Sequence, residues 1–328
     1  MKEVEVFGLF MAQGIYSTSM RQPIAIIILV CLLLQSTAGI TQAEFKNYQD
    51  DWNEDITVTG GRTILVEELS TTWCTNCAEI DPYLQQVADA HGSRITIVTY
   101  HPTDGEDAFQ PPAADYRIQR MKLVNDQLGS TPTFVVESGL LRVGSESWPD
   151  VQKDILKAET SRQEVSEVAF IISQEGDNYS ASVSTSDLME VTYDTQLTFI
   201  LMAHGIKVPD GYINVGEEYR DRVVISTASC SLNSSAIQNI GFSNSNTTNC
   251  AEDFTVNFSY QGKFSLVLIH EATNEVIESD KNLATTLGVV EFAYRDIDIE
   301  DQVNLMPMIF ITTIAIGFIW AIISKKGY

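Results

Sequence analysis

The stretch TTWCTNCAEIDP, residues 71–82, places two cysteines three positions apart, directly after a tryptophan and at the start of a helix-like run. The β-branched and apolar segment TILVEEL, residues 63–69, comes just before it. After it, apolar residues recur at the spacing of one helix face: Ile80, Leu84, Val87 and Ala88. Gly92 then closes the pattern as a residue at a helix C-terminus does. The sequence therefore predicts a strand over 63–69, a short loop, and a helix over 77–91.

The two cysteines occupy different positions on this predicted helix. Cys74 opens it, where unpaired backbone N–H groups and the helix dipole stabilise negative charge and so favour a thiolate. Cys77 lies one turn further in on the same side, within reach of Cys74 for a disulfide. Disulfide exchange needs such a difference, because an exposed thiolate attacks a partner and a shielded thiol then resolves the mixed disulfide. We predict that Cys74 and Cys77 are the catalytic residues of a redox centre.

Two other interpretations of the pair remain open. A zinc site needs four ligands, and the sequence has no second C-x-x-C. Its histidines are scattered: His91, His101, His204 and His270. A purely structural disulfide would span a single helical turn and constrain little of the chain. Neither a metal nor an organic cofactor is therefore predicted.

Helical and strand-like segments continue to alternate up to about residue 160. A helix closed by Gly129 and a hairpin around Gly139 are predicted, and Ser147 is a candidate cap for a final helix. The predicted elements are a strand over 94–101, a helix over 113–129, hairpin strands over 133–138 and 140–145, and a helix after 147. This order predicts a central mixed sheet with helices on both faces.

Residues 60–160 resemble the thioredoxin superfamily. The strand ILVEE precedes TWCTNC as the family's strand precedes W-C-x-x-C, and Pro82 stands five residues after Cys77, where the family kinks its active-site helix. The segment STPTFVV then places Thr131 and Pro132 just before a strand. A lone C-x-x-C is weak evidence, but these features together are specific.

The resemblance implies roles for several residues. Pro132 would be cis and face the two cysteines, and Thr131 would offer backbone groups to a substrate strand. Trp73 would present an apolar surface to partners. The family's buried acid, which accepts a proton from the resolving cysteine, would fall on Glu67 or Glu68. The sequence departs from the family's reducing members in having Thr75-Asn76 between the cysteines and a longer segment over 101–129.

Residues 163–302 lack helical periodicity. Seven or so short alternating or β-branched runs, separated by turn-rich pieces, predict an all-β sandwich of immunoglobulin-like type. Cys230 and Cys250 flank a polar loop in this region and are predicted to form a structural disulfide. The predicted fold class is thus a thioredoxin-like α/β domain over 44–162, this sandwich, and one C-terminal transmembrane helix.

Two apolar runs predict the topology. Ile24–Leu34 follows Arg21 and precedes small residues, as in a secretory signal, so 1–43 is predicted to be a signal peptide region cleaved after Ala38 or Ala43. An uncleaved N-terminal anchor is the alternative. The uncharged run within 303–324 is long enough to cross a bilayer, and Lys325 and Lys326 place the tail 325–328 in the cytoplasm. The protein is predicted to be a single-pass protein of the cell membrane, with most of the chain outside the cytoplasm.

The net charge and the cysteine content of the chain limit the classes of function that fit the sequence. The formal net charge of −24 argues against nucleic-acid binding, because phosphates repel carboxylates. Of five cysteines, Cys31 falls in the signal core, which leaves four in a compartment where disulfides persist.

Together these features predict a membrane-tethered extracytoplasmic thiol–disulfide oxidoreductase or isomerase. Its partners would be secreted or surface proteins with thiols or disulfides, together with a membrane electron donor or acceptor. Two alternatives stay open: a dedicated thiol reductant in cytochrome or metal-centre assembly, and a non-catalytic surface binding protein that uses the fold as a scaffold.

Overall fold

The structure is a computed structural model that describes residues 44–48, 52, 54–162, 164–184 and 186–296. Within these ranges the chain is mixed α/β and rich in strands. The α-helices are α1 (Thr75–His91), α2 (Pro112–Val124), α3 (Trp148–Ser161), α4 (Cys250–Asp253) and α5 (Asn274–Ser279). Short 3₁₀ turns occur at Gly92–Arg94, Ser145–Ser147 and Lys281–Leu283.

The strands fall into two groups along the chain. The earlier ones are β1 (Glu44–Lys46), β2 (Ile56–Gly60), β3 (Ile64–Leu69), β4 (Ile95–Tyr100), β5 (Thr133–Val136), β6 (Arg142–Val143), β7 (Val168–Glu175) and β8 (Asn178–Val183). The later ones are β9 (Thr195–His204), β10 (Ile206–Lys207), β11 (Tyr219–Arg220), β12 (Val223–Ser231), β13 (Ile237–Ile240), β14 (Asn244–Asn246), β15 (Thr255–Ser259), β16 (Lys263–Ala272) and β17 (Thr286–Tyr294).

One wide sheet runs through the molecule. Its strand order is β1-β17-β16-β9-β12-β4-β3-β5-β6, with β13 added beside β12. The strands next to the cysteine motif join the later strands where β4 meets β12 in parallel, at the pair Thr99 and Val223. The cysteine motif therefore follows a strand in the interior of this sheet.

A second, five-stranded sheet of order β14-β15-β8-β7-β2 packs against part of the wide sheet. An apolar cluster rich in aromatic rings joins the two, with Phe170 and Tyr179 from the small sheet and Phe199, Phe264 and Phe292 from the wide one. Phe170 and Phe199 meet edge to face with ring centroids 5.5 Å apart. This cluster is the largest core within the described ranges.

Helices cover the wide sheet around the cysteine motif, and alternate residues of β3 face different helices. Ile64 and Val66 pack with Ile80 and Leu84 of α1. Leu65 and Leu69 pack on the other side with Ile118 and Met121 of α2. The side-chain alternation of a strand therefore assigns each β3 residue either to the cysteine helix or to α2.

The predicted fold class was wrong. The strands predicted to build a separate immunoglobulin-like sandwich are divided between two sheets, and four of them, β9, β12, β16 and β17, extend the sheet that carries the cysteine motif. Every residue of β9 and β17 is buried. Strands buried on both faces lose the alternation that distinguishes a sandwich strand, so the pattern could not identify their neighbours.

Two further findings concern the predicted topology and boundaries. In the part of the chain that the structure describes, no helix has both the length and the apolarity needed to cross a bilayer. The predicted signal region 1–43, the predicted span 303–324 and the tail 325–328 lie outside the described residues. The division into 44–162 and 163–302 stays a prediction, and β2 and β7, on opposite sides of that boundary, pair with each other.

Candidate active site

The two cysteines of the opening motif form a disulfide at the N-terminus of α1. Their Cα atoms are 5.2 Å apart. Cys74 is the N-cap residue, and its sulfur accepts a hydrogen bond of 3.1 Å from the backbone N–H of Cys77. Cys74 is 6% exposed and Cys77 is fully buried, so of the two sulfurs that of Cys74 is the more open to attack. The hydrogen bond from the Cys77 N–H and the helix dipole both stabilise a negative charge on the Cys74 sulfur when the disulfide is reduced.

The Thr131–Pro132 loop lies beside the residues that lead into the disulfide. The peptide bond between Thr131 and Pro132 is cis. The hydroxyl of Thr131 lies 3.5 Å from that of Thr71, three residues before Cys74. The carbonyl of Pro132 accepts a bond of 2.9 Å from the N–H of Gly144, which fixes the loop to the start of the next turn. Residues that are distant in sequence are thus brought together here.

Trp73 is oriented by an acidic turn that follows β4. Its indole N–H donates to Asp104 Oδ2 at 2.9 Å. In the same turn, Asp107 Oδ2 accepts from the N–H of Thr72 at 2.8 Å and lies 2.9 Å from Nδ1 of the buried His101. Burial opposes the charge of Asp107, but His101 and the backbone N–H groups of Phe109 and Thr72 lower the pKa of Asp107 below its usual value. The loop before Cys74 is therefore held by two carboxylates.

Glu67 faces α2, away from the cysteine helix. Its Oε1 accepts from the Tyr100 hydroxyl at 2.8 Å and from Arg117 Nη2 at 2.8 Å. Arg117 is fully buried and also donates to Glu271 of β16 at 2.7 Å. Glu67 is thus part of a buried ion network that ties α2 to the wide sheet.

Glu68 faces the cysteine helix. Its Oε2 accepts from the Thr99 hydroxyl at 2.9 Å, and its Oε1 has no hydrogen-bond partner among the described residues. Glu68 and Asp81 of α1 line a small cavity of about 30 Å³, which has room for a water molecule. Burial and the charge of Asp81 raise the pKa of Glu68 well above its usual value, against the opposing effects of Thr99 and Arg222.

Asp81 is a site residue that the sequence analysis did not single out. It lies one turn after Cys77, and burial raises its pKa to about 6 although Arg220 and His101 favour its charged form. The guanidinium of Arg220 approaches it at 3.7 Å. The sequence did contain a signal for Asp81. It is an acidic residue four positions after Cys77, within the apolar stripe of the predicted helix. Asp104 and Asp107 gave a weaker signal, as residues of the turn-rich segment PTDGED.

The second pair of cysteines forms a disulfide away from this site. Cys230 and Cys250 are both fully buried, and their Cα atoms are 5.7 Å apart. Cys230 ends the pairing of β12 with β13, and Cys250 begins α4. This disulfide closes the polar loop that carries β13 and β14.

The arrangement is suited to sulfur chemistry. Cys74 and Cys77 are bonded to each other in this state, so neither sulfur is free to act as a metal ligand. Within the described ranges, no cluster of three or more His, Cys, Asp or Glu side chains has metal-binding geometry. Glu68 and Asp81 add two carboxyl groups, which line one small cavity and can take up or release protons there.

Comparison with known proteins gives similarity in fold. No protein-family model matches the sequence, and no curated protein matches it either. The solved structure of HBP35 of Porphyromonas gingivalis has a TM-score of 0.50 and 13% identity, over 74% of this chain and 79% of that one. The structure of protein AGR_C_4864 from Agrobacterium tumefaciens has a TM-score of 0.45 and 12% identity, over 73% and 97% of the two chains. At these identities the likeness to HBP35 concerns the fold alone.

Proposed function

We propose that this chain is a thiol–disulfide oxidoreductase with an active site of the thioredoxin-superfamily type, acting on protein substrates through Cys74 and Cys77. The observation that carries the proposal is the Cys74–Cys77 disulfide at a helix N-terminus, with Cys74 receiving the N–H of Cys77 and the cis Thr131–Pro132 loop alongside. In this proposal Cys74 supplies a stabilised thiolate and Cys77 supplies the thiol that resolves the mixed disulfide. The Thr131–Pro132 loop supplies backbone groups that can contact the substrate.

The exchange proceeds in two balanced steps when the pair is reduced. The Cys74 thiolate attacks one sulfur of a client disulfide, so that the Cys74–client bond forms and the client's other sulfur leaves as a thiolate that takes up a proton. Cys77 then loses its proton and attacks the Cys74 sulfur, which forms the Cys74–Cys77 disulfide and releases the second client thiol. Two electrons pass to the client, and a client dithiol reverses the sequence.

An extracytoplasmic setting is part of the proposal. The chain carries a second, fully buried disulfide at Cys230 and Cys250. Disulfides of this structural kind persist in oxidising compartments and are rare in the cytoplasm. Attachment to a membrane stays a prediction, because the run that would provide it lies outside the described residues.

The proposal is tested by reduction of a disulfide-bonded protein such as insulin, with dithiothreitol as electron donor. We expect Cys74→Ser to abolish turnover and Cys77→Ser to accumulate a mixed disulfide with the substrate, visible on a non-reducing gel. Replacement of both Cys230 and Cys250 by alanine is the matched control, and it should retain turnover.

A wild-type Cys74–Cys77 disulfide that resists millimolar dithiothreitol in the folded protein would overturn the proposal. That result would leave the cysteine pair a structural feature and favour a binding protein built on the same scaffold.

A further inference from the structure

A hairpin from the later part of the chain reaches the active site. Its arms are β10 and β11, where Ile206 pairs with Arg220 and Lys207 with Tyr219. The hairpin connects β9 to β12, two inner strands of the wide sheet. We call residues 206–220 the active-site hairpin.

The tip of the active-site hairpin contacts both sides of the cysteine motif. The N–H of Val215 donates to the carbonyl of Thr72 at 3.1 Å, two residues before Cys74. A Cβ placed on Gly216 would lie 2.9 Å from the Cβ of Ala78, the residue after Cys77. The backbone of the hairpin is therefore in direct contact with the first turn of the cysteine helix.

A buried arginine gives the hairpin tip a defined shape. Arg220 Nη2 donates to the side chain of Asn214 at 2.7 Å, and Arg220 Nη1 donates to the carbonyl of Glu217. The Asn214 side chain in turn accepts from the N–H of Gly216 at 3.2 Å. The hairpin is thus a preformed surface, which reduces the ordering cost of binding a partner.

The outer side of the hairpin is apolar. Nine large apolar side chains within the described ranges are exposed, and four of them lie between Tyr212 and Tyr219: Tyr212, Ile213, Val215 and Tyr219. Ile213 is 58% and Val215 47% exposed. Single exposed apolar residues are ordinary, whereas a concentration of them next to a reactive group indicates a contact surface for a partner.

The hairpin has three acidic and two basic residues, and one of the basic residues, Arg220, is buried. Asp210, Glu217 and Glu218 accompany the apolar side chains, and the single lysine of the hairpin, Lys207, is paired with Glu218 at 3.1 Å. The chain as a whole carries a formal charge of −24. A partner with basic side chains is therefore favoured over an acidic one, and more strongly at low salt.

We propose that the active-site hairpin binds an extended client segment with apolar and basic side chains and presents its disulfide to Cys74. The proposal rests on the proposed function and specifies its substrate class. Thr72 contacts the hairpin and Thr71 contacts Thr131 of the cis-proline loop, so these two features flank the residues leading into Cys74. The apolar side chains of such a segment are accessible in unfolded polypeptides and mostly buried in folded proteins.

The test uses single-turnover reactions of the reduced protein with two cyclic disulfide peptides and with hydroxyethyl disulfide. One peptide carries apolar and lysine residues beside its cysteines, and the other carries serine and glutamate. The variant is Ile213→Ser with Val215→Ser, which keeps the backbone bond to Thr72. Leu156→Ser, at a residue 59% exposed on α3, is the matched control.

We expect wild type and control to prefer the apolar, basic peptide, with a preference that declines as salt is raised. The hairpin variant should lose about tenfold in second-order rate constant with that peptide and be unchanged with hydroxyethyl disulfide. Equal rates for variant and wild type with the apolar peptide, or no wild-type preference between peptides, would overturn the proposal.

Failure of the proposed function gives a different result, because wild type would then react with none of the three disulfides. In that case, binding is measured by the fluorescence anisotropy of a labelled apolar peptide in which serine replaces each cysteine. This measurement reports binding to the hairpin without any disulfide exchange. If the hairpin variant binds this peptide more weakly than wild type and Leu156→Ser does not, the hairpin is a peptide-binding surface. If the hairpin variant and wild type bind it equally, the proposal is overturned.

Discussion

Glu67 and Glu68 are adjacent in sequence, and their carboxylates lie on opposite faces of β3. Glu67 is bonded to Arg117 and Tyr100 on the α2 side. Glu68 is bonded to Thr99 and shares a cavity with Asp81 on the cysteine-helix side. Of the two candidate acids, Glu68 is therefore the one on the side of the cysteine helix, and under the proposed function it is the candidate proton acceptor for Cys77. Glu67 is instead bonded to a buried cation.

This difference predicts opposite outcomes for two matched substitutions. Glu68→Gln should slow the resolution of the mixed disulfide by about 100-fold near neutral pH, because a positioned proton acceptor is lost. Glu67→Gln should lower the melting temperature and leave the pH dependence of resolution unchanged. Both are read from the decay of the transient Cys74 mixed disulfide, with Cys77 in place, between pH 5 and 9. The assignment fails if Glu67→Gln changes that pH dependence and Glu68→Gln does not.

Asp81 predicts a pH dependence of stability. Its pKa is raised from 3.8 to about 6, so the folded chain holds this proton more tightly than the unfolded chain does. The resulting stabilisation is present below pH 4 and is lost as the pH rises through about 6. Asp81→Asn removes this titration, so the variant should gain up to about 2 kcal/mol on wild type between pH 4 and 7.

Urea unfolding at several pH values measures this gain. Asp126→Asn, at an exposed acid, is the control for the change in net charge. A stability difference between Asp81→Asn and wild type that stays constant from pH 4 to 7 contradicts the prediction.

Glu271 predicts the opposite pH dependence. Burial disfavours its charge, but Arg117 and Arg120 outweigh this and lower its pKa to about 2. Its contribution to stability is therefore present above pH 4.5 and is lost as the pH falls towards 2. Glu271→Gln leaves Arg117 partly uncompensated and should cost about 3–5 kcal/mol at pH 7, with a smaller acid dependence than wild type.

Denaturant unfolding of the Glu271→Gln variant at pH 7 and pH 3 checks this prediction. The exposed Glu278→Gln on α5 is the control and should unfold as wild type does. A cost that is the same at both pH values would show that the titration of Glu271 is not its source.

The Cys230–Cys250 disulfide closes a loop with a sequence separation of 20. Restricting the unfolded chain by a loop of this length stabilises the fold by about 3 kcal/mol. Replacing both residues by alanine should lower the free energy of unfolding by about that amount, while the reaction of the reduced protein with hydroxyethyl disulfide stays at the wild-type rate. A parallel loss of that reaction would mean that this loop also supports the active site.

Local elements near the cysteine motif were predictable because short-range patterns determine them. The segment 63–69 and the helix 77–91 correspond to β3 and α1 within two residues. The predicted end of the next helix, at Gly129, was wrong, because α2 ends at Val124. Ser147 does occupy the N-cap position of α3, but its side chain makes no capping hydrogen bond, because its hydroxyl donates to the carbonyl of Gly144 instead.

Long-range relationships were not predictable from the pattern. Residues 56–60 form β2, an outer strand of the second sheet, and its partner β7 lies beyond the predicted domain boundary at 162. The contact between Val215 and Thr72 is a backbone hydrogen bond, so it depends on no side-chain motif. The cis-proline loop was anticipated only through resemblance, since a Thr-Pro dipeptide alone does not indicate what lies beside it.

The pairing of β1 with β17, and of β2 with β7, has a consequence for synthesis. The chain leaves the ribosome N-terminus first, so β1 and β2, the two earliest described strands, must wait for partners made later, and β1 waits for β17, the last described strand. Meanwhile β3 can pair with β4 and with β5 around the cysteines, because these pairings join strands that are close in sequence. The surroundings of Cys74 and Cys77 can therefore form while the chain is still being synthesised, when its sheet edges are unpaired and need protection from aggregation.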